Sequence, residues 1–290
     1  MSVTGGFKRA VIEPDASWPR WFLANMGQGL ALLVRPPRVK AVPIWRAYAR
    51  LAVGALVSVV VVAAAMIWLD APTITAAKDL PRWLVDVFEE LTDFGRSGWF
   101  LTPFGLLLLA MAALASPSLP RFTQRVLAII AVRFEFLFLA IAVPGLFVTI
   151  VKRLIGRARP YVGGHVDPFL YAPFGWRPEY ASLPSGHSTN VFAVLIAMGI
   201  LWPRLRPILW LYALIIAVSR VVVLAHNPSD VVAGAIVGAV GALLVRDWFA
   251  ARRLGFTIDV EGRVHALPGP SFGRIKRVAR QLVARQLVAS

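Results

Sequence analysis

Apolar residues in this chain gather into long blocks. Six blocks, about Leu51–Leu69, Trp99–Ser116, Val126–Val151, Ser188–Trp202, Pro207–Ala225 and Ser229–Ala250, lie near the roughly 17–25 residues that a helix needs to cross a bilayer. The fourth is short and is expected to borrow a turn from the residues before it. Gly and Pro inside such blocks are ordinary for membrane helices. The pattern predicts an all-α polytopic protein with six transmembrane helices. A shorter apolar stretch, Trp18–Val34, is interrupted by Pro19 and closed by Arg35-Pro36-Pro37. It is expected to lie along the inner interface without spanning. Lys8 and Arg9 are not followed by an apolar core with a small-residue exit, so no cleaved leader is expected there. The organisation read from the pattern is an interfacial segment over residues 1–45, a six-helix domain over 46–250, and a basic tail over 251–290.

Composition agrees. Of 290 residues, 58% are hydrophobic and 16% charged, against about 25% charged in soluble domains. This excludes a soluble protein. The absence of cysteine rules out disulfides and thiolate chemistry. A formal net charge of +16 raises the question of nucleic acid. The basic residues are scattered around the apolar blocks and line no single face, so no nucleic-acid partner is expected.

Their placement instead gives an orientation. Arg20, Arg35, Arg38, Arg121, Arg125, Arg204, Arg206, Arg252, Arg253 and Arg274 fall on one side if both termini are cytoplasmic. The first loop is then external and acidic, with Asp70, Asp79, Asp86, Glu89, Glu90 and Asp93. The third loop breaks the rule, because Lys152, Arg153, Arg157 and Arg159 would be external. Either the topology is inverted or these cations hold an anion, and the other flanks favour the anion.

The four histidines are His165, His187, His226 and His265. His187 and His226 each stand where an external loop meets an apolar block. Ser185 can cap the helix containing His187. Asn227 with Pro228 marks a helix start beside His226. Such N-termini present unpaired N–H groups to phosphate. Taken singly, these residues have ordinary explanations. Ser185 is a cap and Gly186 a turn, and Asp230 suits a helix start. Arg220 can snorkel, and Lys152 and Arg159, seven apart, share a face if helical and can anchor head groups. Together they place two imidazoles, a serine, a carboxylate and three cations at one end of the helices.

Three groups stand in order. Lys152 and Arg159-Pro160 are separated by six residues, Pro184-Ser185-Gly186-His187 follows, and Ser219-Arg220 leads through five residues to His226 and through three more to Asp230. This set resembles the three-part signature of the type 2 phosphatidic acid phosphatases, or lipid phosphate phosphatases, in their bacterial integral-membrane branch. The resemblance runs over roughly residues 95–250. It implies a metal-independent, cofactor-free lipid phosphatase in a bacterial inner membrane, with its site facing the periplasm. His226 would be the nucleophile that forms a phosphohistidine, Asp230 would hold its imidazole, and His187 would be the acid–base group. Lys152, Arg159, Arg220, Ser185 and Gly186 would cradle the phosphate.

Phosphatidic acid, phosphatidylglycerol phosphate, a polyprenyl diphosphate and a phosphorylated lipid A all suit that pocket. A lipid-to-lipid phosphotransferase would use the same intermediate, and haloperoxidase relatives of the signature are soluble. From a different class, an anionic-lipid transporter would draw on Arg133 and Glu135 inside the third block. The external acids are expected to lie away from the histidines, and only His165, Asp167 and Glu179 would offer a weak metal site. Oligomeric state is not legible.

Overall fold

Away from water a single segment satisfies its own backbone polar groups only as a helix, and the long apolar blocks fold accordingly. The computed structural model describes residues 17–38 and 44–289. Helix α1 (Trp18–Val34) is followed by α2 (Ile44–Trp68), the short helices α3 (Asp70–Lys78) and α4 (Arg82–Thr92), and α5 (Gly98–Leu114). Then come α6 (Arg121–Ile155), α7 (Gly186–Leu201), α8 (Arg206–Val222) and α9 (Pro228–Ala251). Strands β1 (Phe256–Ile258) and β2 (Val264–Ala266) and helix α10 (Phe272–Ala289) complete the chain.

Among the described residues five segments are long and apolar enough to cross a membrane: Leu51–Trp68, Arg82–Leu114, Arg121–Ile155, Pro203–Val222 and Pro228–Ala251. The fourth expected span, α7, starts at Gly186, two residues before the apolar block and short of the full turn expected, and it has only 16 residues. At about 1.5 Å per residue it is about 24 Å long, less than the ~30 Å hydrocarbon layer.

Helix α7 is nevertheless the centre of the bundle. Val191, Ala193, Val194 and Ala197 are fully enclosed by α6, α8 and α9. Small residues on α9 permit this closeness. A Cβ at Gly238 would stand 2.2 Å from the Thr189 carbonyl oxygen, and one at Gly234 would stand 2.4 Å from that of Ser185.

The opposite end of the bundle holds the chain's basic flanks. Arg38 N–H donates to the Ala251 carbonyl (2.7 Å) and Trp248 Nε1 to that of Leu33 (3.1 Å). Pro19 lies in the first turn of α1, where a missing N–H costs nothing, so it starts that helix instead of interrupting it. The tail is not wholly helical, which departs from the all-α expectation. Phe256 pairs with Ala266 and Ile258 with Val264 in an antiparallel hairpin. Phe256 enters the core edge-on to Phe136, with centroids 4.9 Å apart. Burying that ring gives a segment too short to be stable alone a reason to fold as a hairpin. Helix α10 seats Val278 against Leu119, Val126 and Leu127 at the start of α6.

Candidate active site

Four chain segments meet at the end of the bundle away from the hairpin: the end of α6 with its loop, the start of α7, the end of α8, and the start of α9. Helix α9 begins with Asn227 as N-cap and Pro228 in its first turn, and Asp230 closes a capping box. Asp230 Oδ2 accepts the Asn227 N–H at 2.9 Å. That box turns the chain so that His226 points back over α9. The His226 N–H and the Ala225 N–H both donate to the Arg220 carbonyl at 3.1 Å, tying the loop to α8.

His226 is 4% exposed and Asp230 is fully buried. His226 Nδ1 lies 3.8 Å from Asp230 Oδ2, too far for a direct hydrogen bond. Ser182 fills the gap, with its Oγ 2.6 Å from Asp230 Oδ2 and 3.3 Å from His226 Nδ1. Ser182 donates to the carboxylate, so the pattern assigns the imidazole proton to Nδ1, donating to Ser182 Oγ, and leaves the Nε2 lone pair free. Burial, with the positive charges of Arg220 and Arg159 added, holds the His226 pKa below its ordinary value against the pull of Asp230. A neutral imidazole is the form that can attack an electrophile.

Ser185 caps α7, accepting the Ser188 N–H at 3.5 Å. Its own backbone N–H donates to the Asp230 carbonyl at 2.9 Å, which joins the starts of α7 and α9. Gly186 and His187 form the first two positions of α7. The junction between α4 and α5 presses on His187, since a Cβ at Gly95 would stand 2.8 Å from its Cδ2. Left-handed Gly156 (φ 65°) ends α6, so Lys152 stays on the helix while Arg159 lies in the loop. They share the site through that turn and not through a common helical face. Arg159 acts electrostatically on both Lys152 and Arg220, and Arg220, Lys152 and Arg96 act on His187. Arg220 Nη1 donates to Thr92 Oγ1 at 2.6 Å. Among the described residues, the buried Nε of Arg220 and that of Arg159 have no hydrogen-bond partner. Buried, unpaired guanidinium donors fit an anion.

Beneath these residues lies a polar floor that the sequence reading missed. Arg157, wholly buried, donates from Nη1 to Asp230 Oδ1 (2.5 Å) and Ser229 Oγ (2.6 Å). Its Nη2 donates to Asp70 Oδ2 (2.7 Å) and the Pro168 carbonyl (2.8 Å), and its Nε to that same carbonyl (3.0 Å). Asp70 also accepts the Ser229 N–H (2.9 Å) and hydroxyl (2.6 Å). Burial alone would lower the Arg157 pKa, but Asp230 and Asp70 outweigh it and hold it above its ordinary value. The expectation that the external acids lie away from the histidines is therefore wrong for Asp70. It is the first residue of α3, one residue beyond the end of α2, and α3, which buries Ile74 and Ala77, carries it inward. No sequence signal separated Asp70 from its exposed neighbours or Arg157 from the other loop cations.

Other candidates stay outside. His165 is exposed and His265 is on the hairpin, bonded to Asp259 at 2.7 Å. Among the described residues no three His, Asp or Glu side chains gather closely enough to hold a metal ion, the loop set of His165, Asp167 and Glu179 included. Glu135 borders a cavity of about 780 Å³ between α1, α5 and α6, and Arg133 donates to the Leu267 carbonyl. These two charges do not line a path from the site through the bundle.

The PAP2 superfamily model matches residues 135–254, which include Lys152, Arg157, Arg159, Ser182, Ser185, His187, Arg220, His226 and Asp230 but not Asp70 or Arg96. The chain is 35% identical over 199 residues to a lipid A 1-phosphatase of Rhizobium johnstonii, covering 68% of this chain and 80% of that one. It is 33% identical over 202 residues to a lipid A 1-phosphatase of Rhizobium etli, covering 69% and 86%. The chain belongs to the PAP2 superfamily. It is a membrane-embedded lipid phosphatase, a phosphoric ester hydrolase. Among solved structures, the PAP2-type phosphatidylglycerolphosphate phosphatase of Bacillus subtilis aligns with a TM-score of 0.48 at 22% identity, covering 68% of this chain and 94% of that one. The LpxE structure of Aquifex aeolicus aligns with a TM-score of 0.44 at 22% identity, covering 61% and 94%. In this PAP2 enzyme the family-matched segment thus coincides with the four chain segments that meet at the site.

Proposed function

We propose that the enzyme hydrolyses a lipid phosphate of the lipid A 1-phosphate class through a phosphohistidine on His226, without a metal ion. The observation that carries the mechanism is the chain His226–Ser182–Asp230, which leaves Nε2 free on an imidazole that feels Arg159 and Arg220, two cations whose Nε groups are unpaired. Nε2 attacks phosphorus in line, and the bond from phosphorus to the lipid oxygen breaks. His187 gives its proton to that oxygen. The phosphate's own negative charge is what makes a proton on His187 favourable among Arg220, Lys152 and Arg96. His187 then takes a proton from water, whose oxygen attacks phosphorus and frees His226. Lys152, Arg159, Arg220, the Ser185 hydroxyl and the backbone at Gly186 bind the phosphoryl oxygens, a task of positioning and charge stabilisation.

The substrate class rests on the two lipid A 1-phosphatases above. In this reading α7 is the sixth crossing helix and both termini are cytoplasmic. Arg35, Arg38, Arg252 and the cations of α10 mark the inner side of a bacterial inner membrane, and the site faces the periplasm. The test is phosphate release by detergent-purified enzyme in EDTA from a panel of phosphorylated lipid A, phosphatidic acid, phosphatidylglycerol phosphate and polyprenyl diphosphate. Acid-labile, base-stable phosphoenzyme is scored in parallel. Release in EDTA that is fastest with lipid A phosphate and absent in His226→Ala is expected. Equal release by His226→Ala would overturn the mechanism, and a preference for another lipid would overturn the substrate.

A further inference from the structure

Asp70 and Arg157 are wholly buried and hold Asp230 from beneath, Arg157 directly and Asp70 through Ser229. The five N–H donors of a guanidinium are all used in Arg157: two on the Pro168 carbonyl and one each on Asp70, Ser229 and Asp230. It has no donor left for a phosphate. Asp230 Oδ1 is thereby fixed by Arg157, while Oδ2 faces Ser182 and His226. Asp70 in turn pins the first turn of α9 through the backbone and hydroxyl of Ser229, next in sequence to Asp230.

The charges make this more than bracing. Arg157 alone would neutralise Asp230 and weaken its pull on the imidazole. With Asp70 sharing the guanidinium, the trio keeps one net negative charge beneath His226. We propose that Asp70 and Arg157 are positioning residues for the phosphoryl-transfer nucleophile: Arg157 sets the Asp230 carboxylate, and Asp70 preserves its charge for the imidazolium that develops as His226 is phosphorylated. This rests on the reading of His226 as nucleophile. The other charged groups facing His226 are Arg220 from α8, Arg159 from the loop after α6, and His187 from α7.

The test is a pH profile of kcat/KM, whose acid limb reports protonation of the free enzyme's nucleophile, measured on one substrate for each variant. Asp70→Asn removes a negative charge at nearly constant shape. Its acid limb should move to lower pH by about one unit, and kcat should fall about tenfold with KM within about twofold. Arg157→Gln leaves both carboxylates unopposed, so its limb should move to higher pH. The double variant Asp70→Asn/Arg157→Gln restores one net negative charge, so its limb should return toward that of the wild-type enzyme. Asp79→Asn, exposed at the end of α3, serves as the unaltered control.

Opposite shifts that cancel in the double variant would establish the positioning role. Limbs that stay in place in every folded variant would overturn it, whatever happens to kcat, because simple bracing does not move a titration. If Asp70→Asn fails to fold, Arg157→Gln and the double variant still decide the matter by the presence or absence of a shift between them. If neither of these folds either, the pair is bracing alone and the proposal is overturned. Failure of the nucleophile assignment reads out separately, as phosphoenzyme that persists in His226→Ala.

Discussion

Arg157 and Arg159 are two residues apart and chemically identical, and the fold puts them to opposite uses. Arg157 is buried with every donor engaged by protein groups. Arg159 carries a buried Nε that no described residue satisfies. Arg220 resembles Arg159: it spends one Nη1 donor on Thr92 and leaves Nε unpaired. In the proposed site the difference teaches that hydrogen-bond saturation, more than charge or burial, separates an arginine that builds the site from one left open to a ligand. An ion pair closed within the protein contributes rigidity, whereas open donors are poised for charge that arrives with substrate.

The comparison can be broken by mutation. The largest effect is expected at the atom both arginines serve: His226→Ala should lower kcat at least about a thousandfold in single-turnover phosphate release. Next come the open arginines. Arg159→Ala or Arg220→Ala should lower kcat/KM by about 10²–10³-fold, with the thermal midpoint in detergent unchanged or slightly raised because like charges are relieved. Arg157→Ala should behave in the reverse sense. Leaving two buried carboxylates unpaired should cost about 3–5 kcal/mol of stability, visible as loss of folded protein in gel filtration. An Arg157→Ala enzyme that folds normally and fails only in phosphate binding would erase the distinction. Ser182→Ala should be milder, lowering kcat about tenfold through a mispositioned imidazole.

The smallest expected effect is a matter of pH. Because burial and neighbouring cations depress the His226 pKa, a group that ordinarily titrates near 6.5 should stay neutral into mildly acidic solution. The acid limb of kcat/KM, corrected for the substrate's own titration, should therefore fall below that value. A limb above it would mean that Asp230 outweighs burial.

Much of the membrane bundle was legible because the bilayer imposes long apolar runs and the caps obey local chemistry. Ser185 and Asn227 cap as their types and positions predict. Local signals also located His187 and His226 at helix starts. What escaped was long-range. Asp70 meets Arg157 across 87 positions of sequence, and nothing in the acidic first loop says which carboxylate turns inward. Arg157 looked like one cation among four because saturation is a property of three dimensions. The hairpin escaped for a related reason: six strand residues carry too little periodicity, and their fold depends on Phe256 finding Phe136.

That aromatic contact has a kinetic consequence. Phe136, Phe249 and Phe256 are buried to within 2% and close the bundle at the end opposite the site, with Ile141, Val148 and Val194 filling the interior between. Between the site and the hairpin the bundle interior is packed with apolar side chains that offer a phosphate ion no polar partner. In the proposed reaction inorganic phosphate therefore leaves on the side where the next head group enters, so product and substrate compete for the same cations. Turnover in a phosphate-rich medium should accordingly slow by raising KM while kcat holds.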